Sequence, residues 1–322
     1  MKPLVLVVGT YVQDLAFRCE RIPAPGESVL GTLAPAAGGK GFNQAVAAHR
    51  AGVSTMFVGA VGRDAFAGNA RAFCRVTGLP VRLVEKPSHA TAAAAVVLDR
   101  AGQNRIVVAL GAGAHLRPVD VPTAALRAAR VVVCQHETNP AVNAHVFRIA
   151  RRAGVTTVLN PAPMRSGLTA TALRHVDVLT PNETEFAALV RSLVRGQKKF
   201  SADDLSALAP TTLHVLCRRL GVPTVIVTLG ARGVFVSQVG GHTFVPSHQV
   251  RVVDTTGAGD AFTGGFAAGL VTFSGDIVAA ARLGNAVAAL SVTRSGAAPA
   301  MPTIRALNLF LSRKRVLLPP LS

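Results

Sequence analysis

Val131-Val-Val-Cys134, Ala141–Ala153 and Thr156-Thr-Val-Leu159 follow one another as a short β-branched run, an Ala-rich segment of helical spacing and a second β-branched run. Continuous apolar runs of this length suit strands buried on both faces, where strict alternation is not needed. A strand, helix and strand in that order join parallel neighbours. The pattern repeats outward. Leu4–Val8, Val176–Leu179 and Thr224–Leu229 read as further buried strands, and Gln44–Ala51 and Asp203–Leu220 as further helices. The alternation predicts an α/β fold, a doubly wound and mostly parallel sheet with helices on both faces. No internal repeat is visible.

Two segments break the rhythm. Asp14–Pro35 contains Pro23, Pro25 and Gly26 and has no helical period. Thr91–Leu98 and Arg105–Leu110 are strand-like and are joined by the turn-forming Asp99-Arg-Ala-Gly-Gln-Asn104. Hairpin signals of this kind predict a small sheet projecting from the main body, placed to act as a lid. An ordinary surface loop is the alternative for the Pro- and Gly-rich part.

The chain has 322 residues, half of them apolar, enough for one large α/β domain or two smaller ones with a substantial core. Lys and Arg outnumber Asp and Glu by 34 to 16, a formal net charge of +18. Arg71, Arg75, Arg82, Arg100 and Arg105 are scattered, however. The denser clusters, Arg313-Lys314-Arg315 and Arg195-Gly-Gln-Lys198-Lys199, are not interleaved with aromatics. Trp is absent and Tyr occurs once, which speaks against a stacking platform for single-stranded nucleic acid. A solvated Arg-rich surface is the expectation, with no nucleic-acid partner. Cys19, Cys74, Cys134 and Cys217 lie far apart, with no C-x-x-C and no H-E-x-x-H, so reduced thiols in a cytoplasmic protein are expected. The apolar run at Leu4–Val8 is too short for a signal peptide and no stretch approaches a membrane span.

Val252-Val-Asp254-Thr-Thr-Gly257-Ala258-Gly259-Asp260-Ala-Phe262 carries the chemistry. A strand-like lead ends in a Gly-rich turn, and a helix begins near Asp260. Glycines let backbone N–H groups approach a ligand, and a helix N-terminus favours phosphate oxygens. A carboxylate there can accept the proton of an attacking hydroxyl. Asp is also a favoured N-cap, and residue types alone leave both roles open for Asp260. The turn is not a Walker A loop, which requires G-x-x-x-x-G-K-[ST]. A second cluster, Gly38-Gly39-Lys40-Gly41-Phe42-Asn43-Gln44-Ala45-Val46-Ala47-Ala48, opens another helix. Bare glycines let a small polyol reach the backbone, and Asn43 offers both donor and acceptor. Close helix packing with Asn43 as a cap is the alternative. Asn160-Pro161-Ala162-Pro163 and Thr180-Pro181-Asn182-Glu183-Thr184-Glu185 each follow a strand, and Asn182 and Glu185 have the spacing of a capping box. Polar strand ends on one edge mark where open α/β sheets bind ligands.

These stretches, together with Thr228-Leu-Gly230-Ala-Arg-Gly233, resemble the ribokinase branch of the PfkB sugar kinases, in that family's order, from Gly9 to about Pro302. The resemblance implies a kinase domain over residues 1–312, with lid segments near 12–36 and 90–112, and a basic tail over 313–322. It implies phosphorylation of a sugar hydroxyl by ATP with Mg2+. Asp260 matches the catalytic base and Gly257, Ala258 and Gly259 the anion hole. Asp14, Gly39, Lys40, Asn43 and Glu137 match sugar contacts. Asn182, Thr228, Gly230, Gly233 and Asn285 match nucleotide contacts, and Glu185 falls in the motif tied to metal and phosphates. Asp254, Thr256, Ser291, Arg294 and Gly296 match positions around an activating K+; Ala300 departs there, where the pattern has Ser, and an Asp254 that only anchors the turn through nearby N–H groups is the alternative. A homodimer clasped through the lid is also implied.

Val12 is the second departure: the ribokinase pattern has Asn two residues before Asp14. Valine cannot hydrogen-bond a sugar hydroxyl, a loss of about 0.5–1.5 kcal/mol for D-ribose. Val12 and Tyr11 make a nucleoside kinase of the same fold the alternative, and a sensor without turnover is a further class that the intact Asp260 and Gly257–Gly259 oppose.

Overall fold

Leu6 and Val8 of the first strand face one hydrophobic core and Val5 and Val7 face another, so the strand is buried on both sides. That two-sided burial organises the whole chain. The computed structural model describes residues 4–101, 103–164, 168–197 and 199–314. Of the expected basic segments, residues 315–322 and Lys198 lie outside the described residues, as does Gly102 of the predicted turn.

From the N-terminus, β1 (Val5–Val8) leads to β2 (Val12–Cys19), β3 (Gly31–Gly38), α1 (Lys40–Arg50), β4 (Thr55–Val61), α2 (Ala65–Thr77) and β5 (Val81–Glu85). The hairpin of β6 (Ala93–Leu98) and β7 (Asn104–Ala109) precedes α3 (Thr123–Ala128), β8 (Val131–Gln135), α4 (Pro140–Arg152) and β9 (Thr156–Asn160). Next come α5 (Ala170–Leu173), β10 (Val178–Leu179), α6 (Glu183–Leu193), α7 (Ala202–Ala207) and α8 (Pro210–Arg219). β11 (Thr224–Thr228), β12 (Gly233–Gln238), β13 (Gly241–Pro246), α9 (Ala258–Thr272), α10 (Ile277–Ser291) and α11 (Ile304–Arg313) complete the order.

Nine strands form one sheet in the order β13-β12-β11-β10-β9-β8-β1-β4-β5. β12 alone runs against its neighbours, β11 and β13. The strand order reverses at β1, which pairs in parallel with both β4 and β8. The crevice at such a switch point, outside the strand C-termini, is where open α/β sheets take ligands. The predicted doubly wound, mostly parallel sheet is therefore present, and the predicted small sheet is a second, four-stranded one, β3-β2-β6-β7. It grows out of the C-terminal end of β1.

Two expectations change. The single helix expected over Asp203–Leu220 is two, α7 and α8, because Pro210 lacks an N–H and starts a new helix as its first residue. α11 reaches Arg313, so the first residue assigned to the basic tail belongs to a helix.

The charge also finds a local cause. α4 ends on Arg151-Arg152, α8 on Arg218-Arg219, and α2, α3 and α6 each carry an Arg in the last turn. Cations there are favoured by the helix dipole and bind the last carbonyls. Crossover helices end at the edge opposite the strand C-termini, so these arginines lie away from the crevice. Among the described residues, no helix is long and apolar enough to cross a membrane.

Candidate active site

The C-terminal ends of β1, β8, β9, β10 and β11 and the N-termini of α1, α6 and α9 converge on one crevice. α9 begins at Ala258, with Gly257 as its N-cap in the left-handed region (φ 75). A Cβ at Gly257 would also press on Ala297 at 3.1 Å. Asp260 is the third helical residue and is 6% exposed. It caps nothing: its Oδ2 accepts from Asn43 Nδ2 at 2.9 Å and its Oδ1 from Gln44 Nε2 at 2.9 Å. The capping alternative for Asp260 is thus discarded in favour of a carboxylate held by side chains from α1. Asn43 is likewise no cap; α1 is capped by Gly39 (φ 95), whose missing Cβ would meet Thr10 O at 2.6 Å.

One chamber of about 160 Å3 brings together Lys40, Asn182, Glu185, Gly257, Ala258, Gly259 and Asp260. It shares Thr228, Thr255, Ala258 and Gly259 with an apolar cavity of about 300 Å3 that is also lined by Gly230, Gly233 and Asn285. The residues expected at the nucleotide and those expected at the anion hole therefore line adjoining cavities, and Asp260 lines the smaller one. Asn182 and Glu185 form the expected capping box of α6: Asn182 N–H donates to Glu185 Oε2 (2.9 Å) and Glu185 N–H to Asn182 Oδ1 (2.8 Å). They line the chamber as well, so capping and pocket coexist. Asn285 donates to Val245 O and Pro246 O, both at 3.1 Å, and so shapes the cavity by tying α10 to β13.

On the other side of Asp260 lie Asp14, Asn43 and Glu137. The hydroxyl of Thr10 donates to Glu137, whose carboxylate also accepts from Lys40 N–H at 3.3 Å. Burial raises the Glu137 carboxyl above the usual range, and likewise that of Glu185. Asp14 is pushed up to about 6 by burial, then by the charges of Glu137 and Asp260. Lys40 shows the converse: Asp260 above all, then Glu137 and Glu185, hold its ammonium charged against the pull of burial. Lys40 thus sits among three carboxylates and lines the chamber with Asp260 and Glu185.

Of the residues expected around K+, Asp254 joins Thr256 and Gly296 by anchoring the turn. Asp254 Oδ1 accepts from Thr256 N–H and Oδ2 from Gly296 N–H, each at 2.9 Å, joining two loops remote in sequence. Those hydrogen bonds outweigh burial and keep its carboxyl below the usual range. Ser291 Oγ is turned back to Ala288 O at 2.8 Å.

Three residues at the centre escaped the sequence reading: Thr10, Gln44 and Gln135. Gln44 donates to Asp260 and to Asn160 Oδ1 (3.1 Å) and accepts from Gln135 Nε2 (2.7 Å). Gln44 stood in a motif quoted for its glycines, and a polar residue at a helical core position was the available signal.

A carboxylate at a helix N-terminus, beside a Gly-rich anion hole and between a polar pocket and an apolar cavity, is the arrangement phosphoryl transfer requires. Comparison with known proteins agrees. Residues 2–304 match the model of the pfkB family carbohydrate kinases. The ribokinase of Haemophilus influenzae is 34% identical over 308 residues, covering 94% of this chain and 96% of that protein. The deoxyribokinase of Salmonella typhi is 32% identical over 315 residues, covering 96% and 98%. The structure of Arabidopsis thaliana ribokinase complexed with ribose and ATP is 31% identical, with a TM-score of 0.81 over 97% of this chain and 99% of that one. With the fold, the crevice and the matching sequences in agreement, the chain belongs to the pfkB family of carbohydrate kinases, among its ribokinase-like sugar kinases.

Proposed function

We propose that this chain transfers the γ-phosphoryl group of ATP to a primary hydroxyl of a small sugar, with Asp260 as the base. The observation that carries the reading is the position of Asp260, which lines the chamber, accepts from Asn43 and, with Glu137, acts by its charge on Asp14. The apolar cavity takes the base of ATP and the chamber its phosphates. The N–H groups of Gly257–Gly259 and the positive end of α9 face the transferred phosphoryl group. Lys40 adds a fixed positive charge there. As the sugar oxygen bonds to phosphorus and ADP leaves, the hydroxyl proton passes to the Asp260 carboxylate. Asn43 Oδ1 is buried and has no hydrogen-bond partner among the described residues, which suits acceptance from a sugar hydroxyl.

Glu185 lines the chamber, and an oxygen donor beside a triphosphate fits Mg2+, which binds through one or two carboxylates plus phosphates. Bound there, the ion would neutralise charge on the phosphate oxygens. Each Asp254 oxygen accepts one backbone N–H and keeps a further lone pair, a hard oxygen donor of the kind that suits K+.

Val12 is 3% exposed and packs with Ala92 and Ala94. It shares a face of β2 with Asp14, two residues on, so a sugar held by Asp14 would meet an apolar side chain beside it. That side chain favours a pentose that does not depend on a hydroxyl at this place, a deoxypentose included. The apolar small sheet supports a homodimer of this chain, with Val107→Asp expected to yield monomers in sedimentation. The test of acceptor class is ADP release with D-ribose, 2-deoxy-D-ribose, D-fructose and nucleosides. Pentose-dependent release is expected; release with nucleosides alone overturns the sugar reading.

A further inference from the structure

Three carboxamides lie fully or nearly fully buried behind the base. Gln44 and Gln135 are 0% exposed and Asn160 is 6% exposed. Around Gln44, the buried positions of α1 at Phe42, Ala45, Val46, Ala47 and Ala48 are apolar. Burying an amide costs free energy unless all its hydrogen bonds are made, and an apolar side chain would pack as well. Gln44 makes its full set. One N–H goes to Asp260 Oδ1 (2.9 Å), the other to Asn160 Oδ1 (3.1 Å), and its oxygen accepts from Gln135 Nε2 (2.7 Å).

The orientation follows from chemistry. An ionised carboxylate only accepts, so Gln44 must turn its NH2 group to Asp260 and its oxygen away. The oxygen then requires a donor, which Gln135 provides. Asn160 is oriented in the same way, donating to Thr180 O at 2.8 Å. Gln135 has its place because Gly9 and Gly41 lack side chains: a Cβ there would stand 2.1 and 2.6 Å from its Oε1. The Gln135 and Gln44 dipoles, from β8 and α1, are thus aligned toward one carboxylate, while Asn160 at the end of β9 accepts the second Gln44 N–H and donates onward to Thr180 O; such chains strengthen one another in a low-dielectric interior.

We infer that Gln44 is a positioning residue for Asp260, and that Gln135 acts through Gln44 to fix the plane of the base for proton abstraction. Neither residue lines the nucleotide cavity or the phosphate chamber. Their loss therefore acts on turnover and leaves substrate affinity in place. The inference rests on Asp260 being the base, and the experiment separates the two.

The test measures kcat, both KM values and Tm for Gln44→Leu, Gln135→Met, Asp260→Asn and the Gln44→Leu/Asp260→Asn double variant. Hydrogen bonds to a charged group predict a fall in kcat of about 10- to 100-fold for Gln44→Leu. A fall of about two- to tenfold is expected for Gln135→Met, which leaves Gln44 present but unlocked. Both KM values stay within about twofold, and the double variant is no slower than Asp260→Asn alone, as for residues acting as a unit. Wild-type kcat in Gln44→Leu, or a full further loss in the double variant, overturns the positioning role while leaving the base intact. Turnover in Asp260→Asn within a few-fold of wild type removes the base and this inference with it. Should Gln44→Leu fail to fold, Gln135→Met decides: lowered Tm with wild-type kcat means a purely structural chain and overturns the proposal.

Discussion

β8 in the nine-stranded sheet runs Val131-Val-Val-Cys-Gln135 and buries every side chain, whereas β7 in the four-stranded sheet leaves Ile106, Val107 and Val108 at 53%, 73% and 48% exposed. Both are β-branched runs of similar length. What differs is what surrounds them. Crossover helices close both faces of the large sheet, and two cores result. The small sheet has no helix of its own; its buried apolar cluster is Val12, Ala92 and Ala94, at the root. It is tied to the rest by Ala37 of β3, which joins one of the main cores, and by polar contacts, Asn69 Nδ2 to Gln13 Oε1 at 3.0 Å and Arg18 to Ser295 Oγ at 3.1 Å. Strand-forming sequence thus specifies the strand but not its burial. The large sheet frames Asp260, and the small one presents apolar residues at its surface.

That contrast can be broken by stability measurements. Ile226→Ala in β11, fully buried, should cost about 2–5 kcal/mol in denaturant unfolding of the monomer. Val107→Ala should cost under about 0.5 kcal/mol in the same experiment. Equal losses would make the small sheet part of the core.

At the root of the small sheet the expected effect is on binding. The Asp14 carboxyl is pushed up to about 6 by burial, then by the charges of Glu137 and Asp260. A raised carboxyl is ionised only above that value, so the form that accepts sugar hydroxyls is lost as pH falls through it. Calorimetry should show pentose affinity weakening by about tenfold per unit below pH 6, while ATP affinity holds. Asp14→Asn should flatten the curve. The folding consequence has the opposite sense: the ionised form is disfavoured in the folded state, so this group's contribution is greatest below the unfolded value and declines as pH rises through about 6.

The sheet strands were legible because two-sided burial writes continuous apolar runs. Asp254–Asp260 was legible because a phosphate-binding turn needs its glycines in a fixed order. The partners of Asp260 were not. Gln44 and Gln135 are separated by 91 residues, and Gln44 and Asp260 by 216, and nothing local in the chain announces pairs so distant. Lys40 was read as a sugar contact from its motif; its place among Glu137, Glu185 and Asp260 depends on three elements meeting. Pro210 was a local signal for the break between α7 and α8 that the apolar periodicity around it overrode.

Val12 offers a smaller effect on the same strand. Val12→Asn restores a hydrogen-bonding group beside Asp14 and should lower KM for D-ribose by up to about tenfold, with 2-deoxy-D-ribose little changed. A wild type that already prefers ribose by orders of magnitude would contradict this reading of Val12. The smallest effect is expected at the Asp254 loops, on the large-sheet side. K+ should raise turnover at fixed ionic strength by less than about fivefold, with Na+ weaker, and Asp254→Ala should abolish the difference. Equal rates in K+, Na+ and a bulky organic cation would remove the cation site.

The account stands most directly on the turnover of Asp260→Asn under saturating ATP, Mg2+ and the best pentose acceptor. The amide keeps the shape between Asn43 and Gln44 but cannot take a proton. A fall in kcat of about 10²–10⁴-fold is predicted, with ATP affinity and Tm close to wild type. A fall of only a few-fold would contradict Asp260 as the base and, with it, the mechanism derived from this site.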